Sequence, residues 1–163
     1  MFAVNPKQID DRDVLVVEDD PEINRLVGAY VELAGFHYVS ALNGNEAMAQ
    51  VREHSPSAVV LDLMLPDVSG WEVCRQLKAD WNTRGIPVII LTALDNDDSR
   101  QEGVRCGAAE YLTKPFDPDQ FLDVLSRFAS GRSRCETQMA AGDAPGESGN
   151  PNSRSPNQVR MPE

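Results

Sequence analysis

Four stretches of the chain place oxygen-bearing or cationic side chains at the ends of apolar runs. Val14-Leu15-Val16-Val17 runs into Glu18-Asp19-Asp20, and the run from Ala58 to Leu63 carries Asp62 near its end. Pro87 to Leu91 is followed by Thr92-Ala93, and Ala109 to Thr113 by Lys114-Pro115. Carboxylates brought within a few ångströms repel one another and stay ionised only with a cation among them. Hard oxygen donors on short stems suit Mg²⁺, which keeps several waters and binds through one or two carboxylates plus a phosphate. A lysine opposite the acids supplies a point charge for phosphoryl oxygens, and a threonine hydroxyl a neutral hydrogen bond. These are the parts of a phosphoryl-transfer site. A carboxylate nucleophile there would form an acyl phosphate.

Such a site needs elements that bring the four run ends together. Between the apolar runs lie helical patterns: Ile23, Leu26, Val27 and Tyr30; Ala47, Met48 and Val51; Val73, Cys74 and Leu77; a polar stretch over 96–105 stopped by Cys106-Gly107; and Phe121, Val124, Leu125 and Phe128. Phe36 to Leu42 reads as one further strand, with Asn43-Gly44 as its turn. Five βα units in strict alternation predict a parallel sheet with helices on both faces. Ligands of such sheets bind beyond the carboxyl ends of the strands, where all four run ends lie. If the first and third strands are neighbours, their terminal carboxylates converge.

The chain has 163 residues, 41% of them hydrophobic, and a formal net charge of −11. That is room for one domain of ordinary size with a real core. Four basic and four acidic residues cancel over 131–163, so the whole −11 lies in residues 1–130. This acidity argues against a surface for DNA or anionic membrane. Residues 131–163 are rich in Gly, Pro, Ser and Asn with few large apolar side chains, and are expected to be a disordered tail. Residues 1–12 read as an N-terminal arm without the apolar core of a signal peptide. No apolar run approaches the length of a membrane span, so a cytoplasmic location is expected. Cys74, Cys106 and Cys135 form no CxxC pair and predict neither a disulfide framework nor a zinc site.

With these motifs in order, the sequence resembles the response-regulator receivers of two-component signalling systems, over roughly residues 13–130. LVVEDD supplies the acidic pair Glu18 and Asp19. VVLDLMLPDVSGWE supplies Asp62, with Pro66 and Gly70 at the family's positions. ILTA supplies Thr92, and YLTKPF supplies Tyr111 and Lys114. The spacings of 30 residues from Asp62 to Thr92 and 22 from Thr92 to Lys114 are similar to the family's. The resemblance implies a flavodoxin-like doubly wound (βα)5 sheet of strand order 2-1-3-4-5. It implies that Asp62 is the phosphoacceptor for a sensor histidine kinase or phosphotransfer protein. It implies that Asp19, Asp62 and the backbone carbonyl of Met64 ligate Mg²⁺, with Glu18 acting through a metal-bound water. Lys114 would pair with the phosphoryl group ahead of a cis proline. Thr92 and Tyr111 would move together as the switch, and an unknown output protein would read it.

The other residues carry plainer expectations. Asp20 is expected to cap the helix that begins at Pro21. His37 and His54 show no partner in the sequence that suggests a relay or a metal. Trp71 is expected to pack on a helix, Trp81 to be a partly exposed cover on its loop, and the cysteines to be inert. An aspartyl phosphatase usually carries a second acid two residues after its nucleophile. Met64 stands there, so an enzyme is not expected. The alternative is a receiver fragment of a longer regulator whose DNA-binding or enzymatic output domain is absent. Arg100 and Glu110 fit the dimer pattern of winged-helix regulators, whereas Leu94, Ala109, Gln120 and Val124 depart from it.

Overall fold

The computed structural model describes the backbone of residues 12–143 and the side chains of 12–130. The elements in order are β1 (Asp13–Val17), α1 (Pro21–Leu33), β2 (His37–Ala41), α2 (Gly44–His54), β3 (Ala58–Leu61), α3 (Gly70–Ala79), β4 (Val88–Thr92), α4 (Asp97–Cys106), β5 (Glu110–Thr113) and α5 (Pro118–Asp143). The strands form one parallel sheet in the order β2-β1-β3-β4-β5, as the family resemblance implies.

Side-chain alternation divides the core into two layers. Leu15, Val17, Leu61, Val88 and Ile90 face Ala47 and Val51 of α2 and Val73 and Leu77 of α3. Val14, Val16, Val60, Ile89 and Leu91 face Val27 and Val31 of α1 and Phe121 and Leu125 of α5. Strands buried on both faces read as unbroken apolar runs, which is why β1, β3 and β4 are legible. Each fully buried Val, Leu or Ile is worth about 1.5–3 kcal/mol.

The helix starts are fixed by short polar side chains. Asp20 accepts hydrogen bonds from the Glu22 and Ile23 amides ahead of α1, as expected. Asn43 does the same for Glu46, so Asn43-Gly44 begins α2 rather than forming a turn. The side chain that favours turns also satisfies an orphan amide at a helix start. Gly44 has a steric reason: a Cβ there would lie 2.2 Å from Val68 Cγ2.

The end of α5 differs from expectation. The helix runs through the predicted boundary at Gly131 to Asp143. Arg, Glu, Gln, Met and Ala in 132–141 are good helix formers and can extend a helix without burying a face. The expectations for residues 1–11 and 144–163 lie outside the described residues.

Asp67 ties the loop between β3 and α3 to the start of α2. Its Oδ1 accepts from the Gly44 amide and its Oδ2 from the Asn45 amide, each at 2.8 Å. Desolvation pushes this carboxyl up, but the amides outweigh it and hold it below the usual carboxylate value. A depressed folded value means the stabilisation is present above the unfolded value of about 3.9 and is lost as pH falls through the folded one. Asp67→Asn is therefore expected to melt earlier at neutral pH and to lose less on acidification than the parent. Melting curves from pH 7 to pH 2 check this, and parallel pH profiles would refute it.

Candidate functional site

The sheet register builds the site. Val17 pairs with Leu61, so Glu18 and Asp62 are the first residues past the ladder on adjacent strands. Thr92 pairs with Thr113, so Lys114 follows at the same end. The chain is held at these exits by Asp62 N–H to the Val17 carbonyl at 3.0 Å and Lys114 N–H to the Thr92 carbonyl at 2.8 Å.

Glu18, Asp19 and Asp62 each offer a carboxylate oxygen within 4.8 Å of the others. Glu18 and Asp62 are buried and Asp19 is exposed. Lys114 Nζ donates to Glu18 Oε2 in a short ion pair and to Asp62 Oδ2 at 3.1 Å. The other Asp62 oxygen accepts from the Met64 amide at 3.2 Å. Burial, with a smaller push from the Asp62 charge, raises the Glu18 carboxyl to about 7 against the opposing pull of Lys114 and the Asp20 amide. Burial works against the Lys114 ammonium, but Glu18 and Asp62 outweigh it and keep it above its usual value. One ammonium among three carboxylates leaves the pocket short of positive charge. The donor set, all hard oxygen with one exposed carboxylate, fits a divalent cation of the Mg²⁺ type.

Thr92 is fully buried, and its hydroxyl accepts from the Leu94 amide at 3.4 Å. The Tyr111 hydroxyl donates to the Leu94 carbonyl at 2.9 Å. Thr92 and Tyr111 thus meet on the two sides of one residue. Nothing in the sequence marks Leu94 as this link, because both of its contacts run through its backbone. The Lys114–Pro115 peptide is cis.

Residues 14–126 match the family described as the response regulator receiver domain. The chain belongs to that family. This receiver is 41% identical over 109 residues to the DNA-binding dual master transcriptional regulator RpaA of Synechocystis sp., an alignment covering 67% of this chain and 45% of RpaA. It is 35% identical over 118 residues to protein PilH of Pseudomonas aeruginosa, covering 72% of this chain and 98% of PilH. Among solved structures, it is similar to the BeF3-activated N-terminal receiver domain of Klebsiella pneumoniae RstA, with a TM-score of 0.67 and 32% identity over 72% of this chain and 97% of that one. The receiver therefore spans about half the length of RpaA and nearly all of PilH.

The structure adds to the sequence reading of the receiver in several places. His37 and His54 do have a partner: both face Asp13, with His54 Nδ1 3.1 Å from Oδ2 and His37 Nδ1 3.4 Å from Oδ1. Asp13 and His37 are register partners on β1 and β2, while His54 ends α2, 41 residues from Asp13 in sequence. Trp71 packs against the core, as expected. Trp81 is 75% exposed, with the Arg84 guanidinium 3.9 Å from its ring centroid. Cys74 and Cys106 are buried free thiols, and burial raises Cys74 to about 11, which keeps it unreactive. Val124 is core, as its place on the apolar face of the last helix predicts, and Arg100 pairs with Asp95 at 3.0 Å. No helix among the described residues is long and apolar enough to cross a membrane.

Proposed function

We propose that the chain is a phosphorylation-controlled switch. Asp62 accepts a phosphoryl group from the phosphohistidine of a sensor histidine kinase or phosphotransfer protein, and the product binds an output protein differently. The observation that carries this is the Asp62 carboxylate, held by Lys114 in a pocket shared with Glu18 and Asp19. An Asp62 oxygen attacks phosphorus, the bond from phosphorus to the histidine nitrogen breaks, and an acyl phosphate forms. Asp19, Asp62 and the Met64 carbonyl are the proposed direct Mg²⁺ ligands, with Glu18 acting through a water. The ion, when bound, neutralises charge on the phosphoryl oxygens. Lys114 orients one of those oxygens. The donor is another protein's phosphohistidine, so the chain is a substrate and a signalling module rather than an enzyme with its own turnover. Incubation with a small acyl phosphate and Mg²⁺ is expected to add one phosphoryl mass, and EDTA to prevent it. Full modification in EDTA contradicts the proposal.

Thr92 and Tyr111 are the proposed switch, joined through Leu94. Turning the Thr92 hydroxyl toward the phosphoryl group releases the Leu94 amide and opens space that the Tyr111 ring can take. A phosphoryl group shifts this equilibrium only by interacting differently with the two states. Thr92→Ala is expected to leave phosphorylation of Asp62 largely intact and to abolish the amide shifts around Tyr111 on adding beryllofluoride. Equal shifts in the two proteins exclude Thr92 as the coupling element.

The partial coverage of RpaA favours a second reading, in which this receiver is part of a longer regulator with its own output domain. Either way, the −11 charge on residues 1–130 argues against direct nucleic-acid contact by the receiver. A cytoplasmic location is the one we assign.

A further inference from the structure

We infer that Asn24 is a positioning residue for the acidic turn Glu18-Asp19, an assignment that rests on the reading of that turn as a Mg²⁺ site. Asn24 lies on the buried face of α1 with Val27, Gly28 and Val31, and is itself 1% exposed. Its Nδ2 donates to the carbonyls of Glu18 and Ala41 at 3.0 Å each, with the Val16 carbonyl at 3.3 Å. Its Oδ1 accepts from the Tyr38 hydroxyl in a short hydrogen bond and from Ser40 Oγ at 3.0 Å. Every donor and acceptor of the amide is used, so the side chain has one orientation.

The need arises where the ladder ends. The last register pair between β1 and β2 is Val17 with Ala41. Glu18 still donates its amide to the Ala41 carbonyl at 3.1 Å, but the ladder offers its own carbonyl no strand partner. That carbonyl belongs to the peptide joining Glu18 to Asp19. Holding it on Asn24 fixes the peptide plane, and with it the direction in which the Asp19 carboxylate leaves the turn. Three residues keep Asn24 in place. Tyr38 and Ser40 come from β2, and Gly28 makes room for the Tyr38 ring, since a Cβ there would lie 2.6 Å from Tyr38 Cε1 and Cζ. Asn24 touches neither the cation nor the phosphoryl group; it acts through Glu18 and Asp19.

The test is a Mg²⁺ titration of the full chain followed by ¹H–¹⁵N amide shifts, with thermal melting alongside. Asn24→Ala is expected to weaken Mg²⁺ binding roughly 10-fold or more, the size seen when groups that orient metal ligands are removed. Tyr38→Phe, which frees one side of the amide, should weaken it in the same direction by less. Val31→Ala, a core truncation in the same helix, should lower the melting temperature and leave Mg²⁺ affinity unchanged. Unchanged affinity in Asn24→Ala, or equal weakening in Val31→Ala, overturns the inference. If Asn24→Ala does not fold, unchanged affinity in Tyr38→Phe overturns it. Failure of the parent to bind Mg²⁺ sinks the metal reading instead. The metal-free spectra then decide for Asn24: its replacement should move the Asp19 and Asp20 amides, and spectra in which they stay put reject the positioning role.

Discussion

Gly70→Ala is expected to cripple the site while adding a single methyl group. A Cβ at Gly70 would lie 2.4 Å from the Asp62 carbonyl oxygen, 2.6 Å from Leu63 Cα and 3.1 Å from the Asp62 carbonyl carbon. These are backbone atoms of the residue we propose as phosphoacceptor and of the residue after it, so no side chain can swing aside. The Gly70 amide also donates to the Leu63 carbonyl at 3.0 Å, which holds the two segments together. Overpacking of this kind costs about 1–3 kcal/mol. The functional effect is larger, because a shift of about 1 Å in a reacting group can cost roughly 100-fold in rate. Gly85→Ala is the control, since a Cβ there meets nothing within 4 Å. Urea midpoints and phosphorylation rates of the two variants check the expectation. A Gly70→Ala protein that phosphorylates at the parent rate would mean that the loop yields without moving Asp62.

Lys114→Met is expected to have opposite effects on the two ligands of the site. The ammonium answers Glu18 and Asp62 in the resting pocket, and in the proposed reaction it answers the phosphoryl oxygens. Without it the phosphorylation rate should fall roughly 100- to 1,000-fold, the cost of losing one fixed donor at a developing charge. Mg²⁺ should bind more tightly, because the same carboxylates no longer have a competing cation. Titration with Mg²⁺ and a phosphorylation time course in the same buffer separate the two. Weaker Mg²⁺ binding in Lys114→Met would mean that the lysine organises the acids rather than competing for them.

Much of the fold is legible in the sequence because the central strands are buried on both faces. Val14–Val17, Ala58–Leu61 and Val88–Leu91 read as continuous apolar runs, and each stops where the site begins. The site residues follow from those stops, since a parallel sheet puts all strand exits at one end. What the sequence conceals are contacts whose partners are far apart in the chain. Asp67 caps α2 from 23 residues away, and Asp13 meets His54 across 41. Asn24 was accessible in principle, as a polar side chain in register with Val27 and Val31 on the buried helix face, but its carbonyl partners depend on where the ladder ends. Asn43 has the chemistry of a turn residue, but its side chain serves a helix start equally well. The course of α5 past Gly131 reflects helix propensity, which the count of apolar residues does not register.

The most direct test of the proposed function is to locate the phosphoryl group. The parent chain and Asp62→Asn are incubated with a small acyl phosphate and Mg²⁺, and intact masses and peptide masses are read before the acyl phosphate hydrolyses. One added phosphoryl group is expected on the parent, placed on Asp62, and none on Asp62→Asn. A phosphoryl group retained by Asp62→Asn, or found on another residue of the parent, would contradict it.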